Sequence, residues 1–157
     1  MLELDVPGYG LLQLEHVALD VNGTLALDGT LLPGVAERLA VLRSLLTLHL
    51  ITADTHGRQA EIDAELGLSA VRTQRGEPEA EQKAAYIREL GAECVVAIGN
   101  GANDALMLKE ARLAIAVLGP EGLAGAALRE ADIVVPDIGA ALDLLLYPKR
   151  LLATLRC

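Results

Sequence analysis

Apolar residues in this chain gather into short continuous runs, separated by stretches with a helical repeat. Five runs recur: Val17–Leu19, Leu48–Ile51, Cys94–Ile98, Leu113–Val117 and Ile133–Val135. Because their apolar character is nearly continuous instead of alternating, they predict strands covered on both faces, as in a parallel sheet. Between them, the stretch from Pro33 carries Val35, Leu39, Leu42 and Leu46 on one helical face, with a proline in the first turn where helices tolerate it. A second helix is predicted from about Pro78, with Ala80, Ala84, Ile87 and Leu90 at helical spacing and a stop at Gly91. Leu2–Val6 alternates, Pro7-Gly8-Tyr9-Gly10 reads as a turn, and the alternation resumes at Leu12 and Leu14. That is an N-terminal β-hairpin over residues 1–15, an appendage to the main sheet. Alternating strands and helices predict an α/β fold with a doubly wound, mainly parallel, Rossmann-like sheet, ligands binding at the carboxyl ends of its strands.

Composition narrows the picture. A chain of 157 residues suits one hydrophobic core, so a single domain over residues 1–157 is expected. Phe and Trp are absent and only three Tyr occur, so the core must be aliphatic and base-stacking surfaces are not expected. With 22 acidic against 13 basic residues and a net charge of -9, neither nucleic acid nor an anionic membrane is an expected partner. No apolar run reaches membrane-spanning length, and Glu3 and Asp5 do not fit an export signal, so a cytoplasmic location is expected. Cys94, within an apolar run, and Cys157, the last residue, read as two free thiols in a reducing compartment. Nothing near Cys94 supplies the base that a nucleophilic thiol needs.

Polar residues punctuate the strand ends. Asp20 closes the run that starts at His16 and leads into Val21-Asn22-Gly23-Thr24, although an Asn-Gly pair after a strand is by itself most often a hairpin turn. Thr52-Ala53-Asp54-Thr55 follows the next run, where Asp54 or Thr55 also suits a helix N-cap. Lys83 lies in the helix after Pro78, where a solvent-facing lysine is the default. Gly99-Asn100-Gly101-Ala102-Asn103-Asp104 follows Ile98, and an acid such as Asp104 is favoured at a helix N-terminus whatever else it does. His56 reads as a solvated residue near a helix start.

Taken in order, Asp20-Val21-Asn22-Gly23-Thr24, Thr52, Lys83 and Gly99-Asn100-Gly101-Ala102-Asn103-Asp104 resemble the four motifs of the haloacid dehalogenase-like superfamily. Pro78 to Leu118 is similar to the phosphorylation domain of P-type ATPases, and Thr52-Ala53-Asp54 to their Thr-Gly-Asp block. From about His16 to Leu146 the chain resembles the soluble P-type-ATPase-like family. The resemblance implies that Asp20 accepts a phosphoryl group as an aspartyl phosphate, that Thr52 holds a phosphoryl oxygen and that Lys83 neutralises charge beside it. It implies a substrate site at Gly23, Thr24, Ala53 and Asn103, where Asn103 either touches the phosphoryl group or caps a helix. It also implies Mg²⁺ held by Asp20, the Asn22 main-chain carbonyl, Asn100 and Asp104.

Two positions depart from the pattern. Phosphatases of the superfamily usually carry Asp two residues after the nucleophile as general acid and base, and Asn22 does neither at neutral pH. Asn100 stands where a carboxylate usually ligates the metal, which predicts weak metal affinity. Thr52 follows Asp20 too closely for a nucleotide-binding insert or a large cap, and Leu25 to Leu32, centred on Asp28-Gly29, reads as a small hairpin flap. The expected function is a slow magnesium-dependent phosphohydrolase; a catalytically weak phosphate-binding regulatory domain is the alternative. A capless, open site suits a phosphorylated small molecule or a phosphoprotein, or completion by a neighbouring subunit in a homo-oligomer.

Overall fold

Each apolar run supplies a strand of one sheet in the computed structural model, which describes residues 1–157. The chain begins with an antiparallel hairpin, β1 (Leu2–Val6) and β2 (Gly10–Leu14), and enters the main sheet as β3 (His16–Asp20). A smaller hairpin follows, β4 (Ala26–Leu27) and β5 (Thr30–Leu31). Next come α1 (Val35–Leu42), β6 (Thr47–Thr52), α2 (Gln59–Leu66), β7 (Val71–Arg72), α3 (Glu79–Leu90) and β8 (Val95–Gly99). The chain closes with α4 (Ala105–Glu110), β9 (Leu113–Val117), α5 (Gly125–Arg129), β10 (Ile133–Val135), α6 (Ile138–Leu146) and α7 (Pro148–Leu155).

The strand order is β10-β9-β8-β3-β6-β7, with every neighbouring pair parallel. The chain builds outward from β3 through β6 to β7, crosses back to β8, and builds outward again on the other side. The order therefore reverses between β3 and β8, and in open α/β sheets the crevice at such a switch point is the ligand site. Val17, Leu19, Leu50, Val96, Ile98 and Ile115 face the larger core beneath α1 and α6, while Ala18, Ile51, Ala97 and Ala114 pack with Ile87 of α3 and Met107 of α4. The doubly wound, aliphatic α/β architecture expected from the runs is the one observed.

The differences are local. The N-terminal hairpin pairs with no strand of the large sheet, yet Leu12 and Leu14 are fully buried in the larger core and Cys157 N–H donates to the Pro7 carbonyl at 3.1 Å. It is packed into the fold instead of appended to it. Cys94 belongs not to a strand but to a single 3-10 turn, Ala92–Cys94, that precedes β8, and it is half-buried; both cysteines are free. The helix from Pro33 ends at Leu42, so Leu46 reaches the core from the turn beyond it. The flap forms where expected: Asp28 (φ 50) and Gly29 (φ 79) both adopt the left-handed conformation of a tight hairpin turn. No helix is long and apolar enough to cross a membrane.

Candidate active site

The carboxyl ends of β3, β6 and β8 converge, and α3 adds a lysine from its second turn. Lys83 Nζ donates to Asp20 Oδ1 at 2.7 Å and to Asp104 Oδ1 at 2.8 Å, and pairs with Glu79 Oε1 at 3.0 Å. Its side chain is 0% exposed, so it is not the solvent-facing lysine that helix position alone would favour. An ammonium has three N–H donors, and three carboxylates surround this one. Asp104 Oδ2 accepts the backbone N–H groups of Asn100 at 3.0 Å and Gly101 at 2.9 Å, so this acid shapes the loop after β8 while holding Lys83. Gly99 makes room for it, since a Cβ there would lie 2.6 Å from the Asp104 carboxyl. Asn103 turns its amide oxygen against Gly101.

Thr52 Oγ1 accepts from Asp54 N–H at 2.9 Å and from Asn22 Nδ2 at 3.3 Å. Both acceptor positions are thereby engaged, and the hydroxyl's remaining capacity is to donate its own proton. The turn through half-buried Ala53 reaches Asp54 at φ 52, and Asp54 Oδ1 accepts the Gln59 N–H at 3.0 Å at the start of α2. His56 is exposed, beside Gly29 of the flap.

Thr24 supplies the best observation bearing on a metal. Its buried hydroxyl lies 2.9 Å from Asp20 Oδ2 and 2.9 Å from Asn100 Oδ1, and one proton cannot serve two acceptors at once. The Asn22 carbonyl accepts no backbone hydrogen bond, because the loop's own turns close on Val21 and Ala26. Asp20 and Asn100 thus leave oxygen acceptor capacity side by side around Thr24, and the Asn22 main chain leaves more in the same loop, a donor set that suits a hard cation such as Mg²⁺. Three carboxylates around one ammonium also leave negative charge uncompensated. Burial, then the Asp104 carboxylate, push Asp20 up to about 7, against the Lys83 ammonium and the Thr24 hydroxyl, which pull it down. Burial acts to lower the Lys83 pKa, but Asp20 and Asp104 outweigh it and hold Lys83 above its ordinary value.

Two acids at the site escaped the sequence reading. Glu79 passes for a first-turn helix acid, and only the four-residue spacing to Lys83 hints at their pairing. Glu121 lies in the loop after β9, with no motif around it. A Cβ placed on Gly23, which is buried at φ 79, would collide with Glu121 Oε2 and come within 3.0 Å of Asn100 Nδ2. The same loop accepts a hydrogen bond from Asn100 Nδ2 at the Gly122 carbonyl, 3.1 Å away.

A doubly wound α/β sheet thus carries a buried carboxylate–lysine centre at its switch point, with only a two-strand hairpin between β3 and α1 where a cap would be inserted. The chain belongs to the haloacid dehalogenase-like hydrolase family, whose model matches residues 1–112. The superfamily resemblance and the expectation of a hydrolase therefore hold. The match starts at the first residue and so takes in the hairpin that the motifs left outside. The chain is 55% identical over 62 residues to the uncharacterized protein MJ0073 of Methanocaldococcus jannaschii, covering 40% of this chain and 67% of that protein. Among solved structures it is similar to a 3-deoxy-D-manno-octulosonate 8-phosphate phosphatase from Moraxella catarrhalis in complex with magnesium ion, phosphate ion and KDO. There the TM-score is 0.65 at 20% identity, over 91% of this chain and 94% of that one, a likeness of fold. A zinc-transporting PIB-type ATPase in its E2.Pi state matches at 27% identity and TM-score 0.62, over 80% of this chain and 20% of that one.

Proposed function

We propose that the protein is a magnesium-dependent phosphohydrolase that passes a phosphoryl group through an aspartyl phosphate on Asp20 and turns over slowly. The observation that carries this reading is Lys83, a fully buried ammonium that fixes Asp20 Oδ1 at 2.7 Å at the end of the central strand. Burying a lysine among carboxylates is costly for stability alone. It makes sense where a carboxylate must be held in one orientation for attack.

Asp20, the Asn22 carbonyl and Asn100 would hold Mg²⁺, and Asp104 would join them only by giving up part of its bond to Lys83 or to the loop. A cation there would offset charge on the phosphoryl oxygens and favour the ionised form of Asp20, whose carboxyl otherwise keeps its proton to about 7. The Asp20 carboxylate attacks phosphorus, and the bond to the leaving oxygen breaks with its electron pair on that oxygen. The Thr52 hydroxyl donates to a phosphoryl oxygen, while Gly23 and Ala53 let the backbone approach closely and Asn103, in the loop after β8, would turn from Gly101 to contact the phosphoryl group. Asn22 has no proton to give, so the leaving oxygen departs bare or is protonated by water. Water then attacks the aspartyl phosphate, again without a base at position 22, and inorganic phosphate leaves. Both steps are slowed, and acyl phosphates or nitrophenyl phosphate should outrun sugar phosphates.

The test is phosphate release with and without Mg²⁺ in the parent, Asp20→Asn and freshly prepared, mass-verified Asn22→Asp. Asp20→Asn should abolish release, and Asn22→Asp should raise turnover by about 10²–10⁴-fold, the usual contribution of a placed general acid. Release that survives Asp20→Asn refutes the reading. Phosphate binding without turnover in any variant would support instead the regulatory phosphate-binding role, which Asn22 and Asn100 together favour.

A further inference from the structure

The opposite edge of the sheet, at the amino ends of the strands, carries a second cluster of ligating side chains. Glu15 precedes β3, His16 opens it, and Cys94 ends the 3-10 turn before β8. Parallel pairing sets His16 beside Val95, and Glu15 N–H donates to the Cys94 carbonyl at 2.9 Å, so main-chain bonds fix the approach. One ligand atom from each of Glu15, His16 and Cys94 lies within 4.8 Å of the other two. Glu15 is exposed while His16 and Cys94 are half-buried, which leaves an entry path from solvent.

We propose that this cluster is a second metal site, for a thiophilic divalent cation of the zinc type, ligated by Cys94 Sγ, the His16 imidazole and the Glu15 carboxylate, with water completing a tetrahedron. Its donors are sulfur, nitrogen and oxygen, whereas those around Asp20 are all oxygen, so the two sites select different ions. They sit at opposite ends of β3, about 13 Å apart at the rise of an extended strand.

A second observation points to the same use. His16 Nδ1 lies 3.1 Å from His49 Nε2, and His49 Nδ1 lies 2.9 Å from the Tyr86 hydroxyl. A cation on His16 Nε2 requires the His16 proton on Nδ1, where it is donated to His49 Nε2. The His49 proton then stands on Nδ1 and is donated to Tyr86. One assignment satisfies every ring nitrogen, and it gives His16 a hydrogen-bonded second ring nitrogen, which is what fixes the tautomer and orientation of metal-bound histidines. The Cys94 thiol now faces the Gly91 carbonyl at 3.1 Å; on binding, its proton goes to solvent and the thiolate takes the cation.

The experiment is a Co²⁺ titration of the reduced full chain with excess Mg²⁺ present to fill the all-oxygen site. One equivalent of Co²⁺ should give thiolate-to-metal charge-transfer absorption that Zn²⁺ displaces. The band should persist in Cys157→Ser and Asp20→Asn and vanish in Cys94→Ser. Tyr86→Phe and His49→Ala should weaken Zn²⁺ binding by about 10–100-fold while keeping the band. To guard against misfolding of Cys94→Ser, alkylation of the unmodified chain is mapped with and without Zn²⁺. Zn²⁺ should protect Cys94 and leave Cys157 reactive. A band that survives Cys94→Ser, a band lost only in Cys157→Ser, or equal labelling of Cys94 with and without Zn²⁺ overturns the proposal.

Discussion

Replacing Lys83 with Met keeps most of the buried stem and removes only the ammonium that Asp20, Asp104 and Glu79 share. Removing one partner of a buried ion pair typically costs about 3–5 kcal/mol, because charge is left behind without compensation. For a chain of this size each kcal/mol shifts Tm by about 2–4 °C, so a fall of about 6–20 °C is expected in the metal-free protein. The orphaned carboxylates can respond by taking up protons, which raises their folded pKa values above the unfolded ones. The folded variant then binds more protons than the unfolded chain, so its stability falls as pH rises. The deficit should therefore be larger at about pH 8 than at about pH 6, on either side of the value of about 7 for Asp20 in the parent. Mg²⁺ should restore part of the lost Tm without restoring turnover. Thermal unfolding by far-ultraviolet circular dichroism, with EDTA or Mg²⁺ at both pH values, reads all of this. A deficit below about 1 kcal/mol at the higher pH, the size of a surface ion pair, would mean that Lys83 is not the counter-ion of this cluster.

Asn100→Asp should lower the Mg²⁺ concentration needed for half-maximal turnover, and equal magnesium dependence in the two proteins would place Asn100 outside the metal's ligands. In the metal-free parent, Asp20 keeps its proton to about 7 when folded but loses it near 3.9 when unfolded, so stability should fall as pH rises through that window and level off above it. Asp20→Asn should lack that component of the pH dependence; identical Tm profiles would contradict the assignment. Gly23→Ala should lose about 1–2 kcal/mol from its left-handed backbone alone, and more from the collision with Glu121, so adding Glu121→Ala should recover part of the loss. An unchanged Tm for Gly23→Ala would show that the loop relaxes freely.

The central strands were legible because parallel strands buried on both faces are apolar almost throughout, which is how Val17–Leu19 and Leu113–Val117 stand out; Ile133–Val135 is as apolar but forms the edge strand β10, with Val134 exposed. The edge strand β7 was not: Val71 and Arg72 are too few to carry a period. The helix α2 was equally quiet, because its exposed acids leave only Gln59, Ile62 and Leu66 buried along eight residues. At the candidate active site, ordered motifs pointed to Asp20, Thr52, Lys83 and Asp104, since each follows a strand or lines the adjacent helix. Glu121 had no such marker, because a loop residue is brought to Gly23 only by the packing of two turns. The link from His16 through His49 to Tyr86 depends on strand register and on which face of α3 meets the sheet, information that is written nowhere locally.

The position of β3 has a consequence for how the protein fails. It is hydrogen-bonded along both edges, to β6 and to β8, and Val17, Ala18 and Leu19 are fully shielded. Amides in such a strand exchange with solvent through whole-molecule opening, whereas β7 and the flap can fray alone. Asp20 is thus anchored in the last part of the molecule to let go. Inactivation by heat should track global melting, and damage anywhere in the aliphatic core should reduce the number of working molecules while leaving each survivor's rate unchanged.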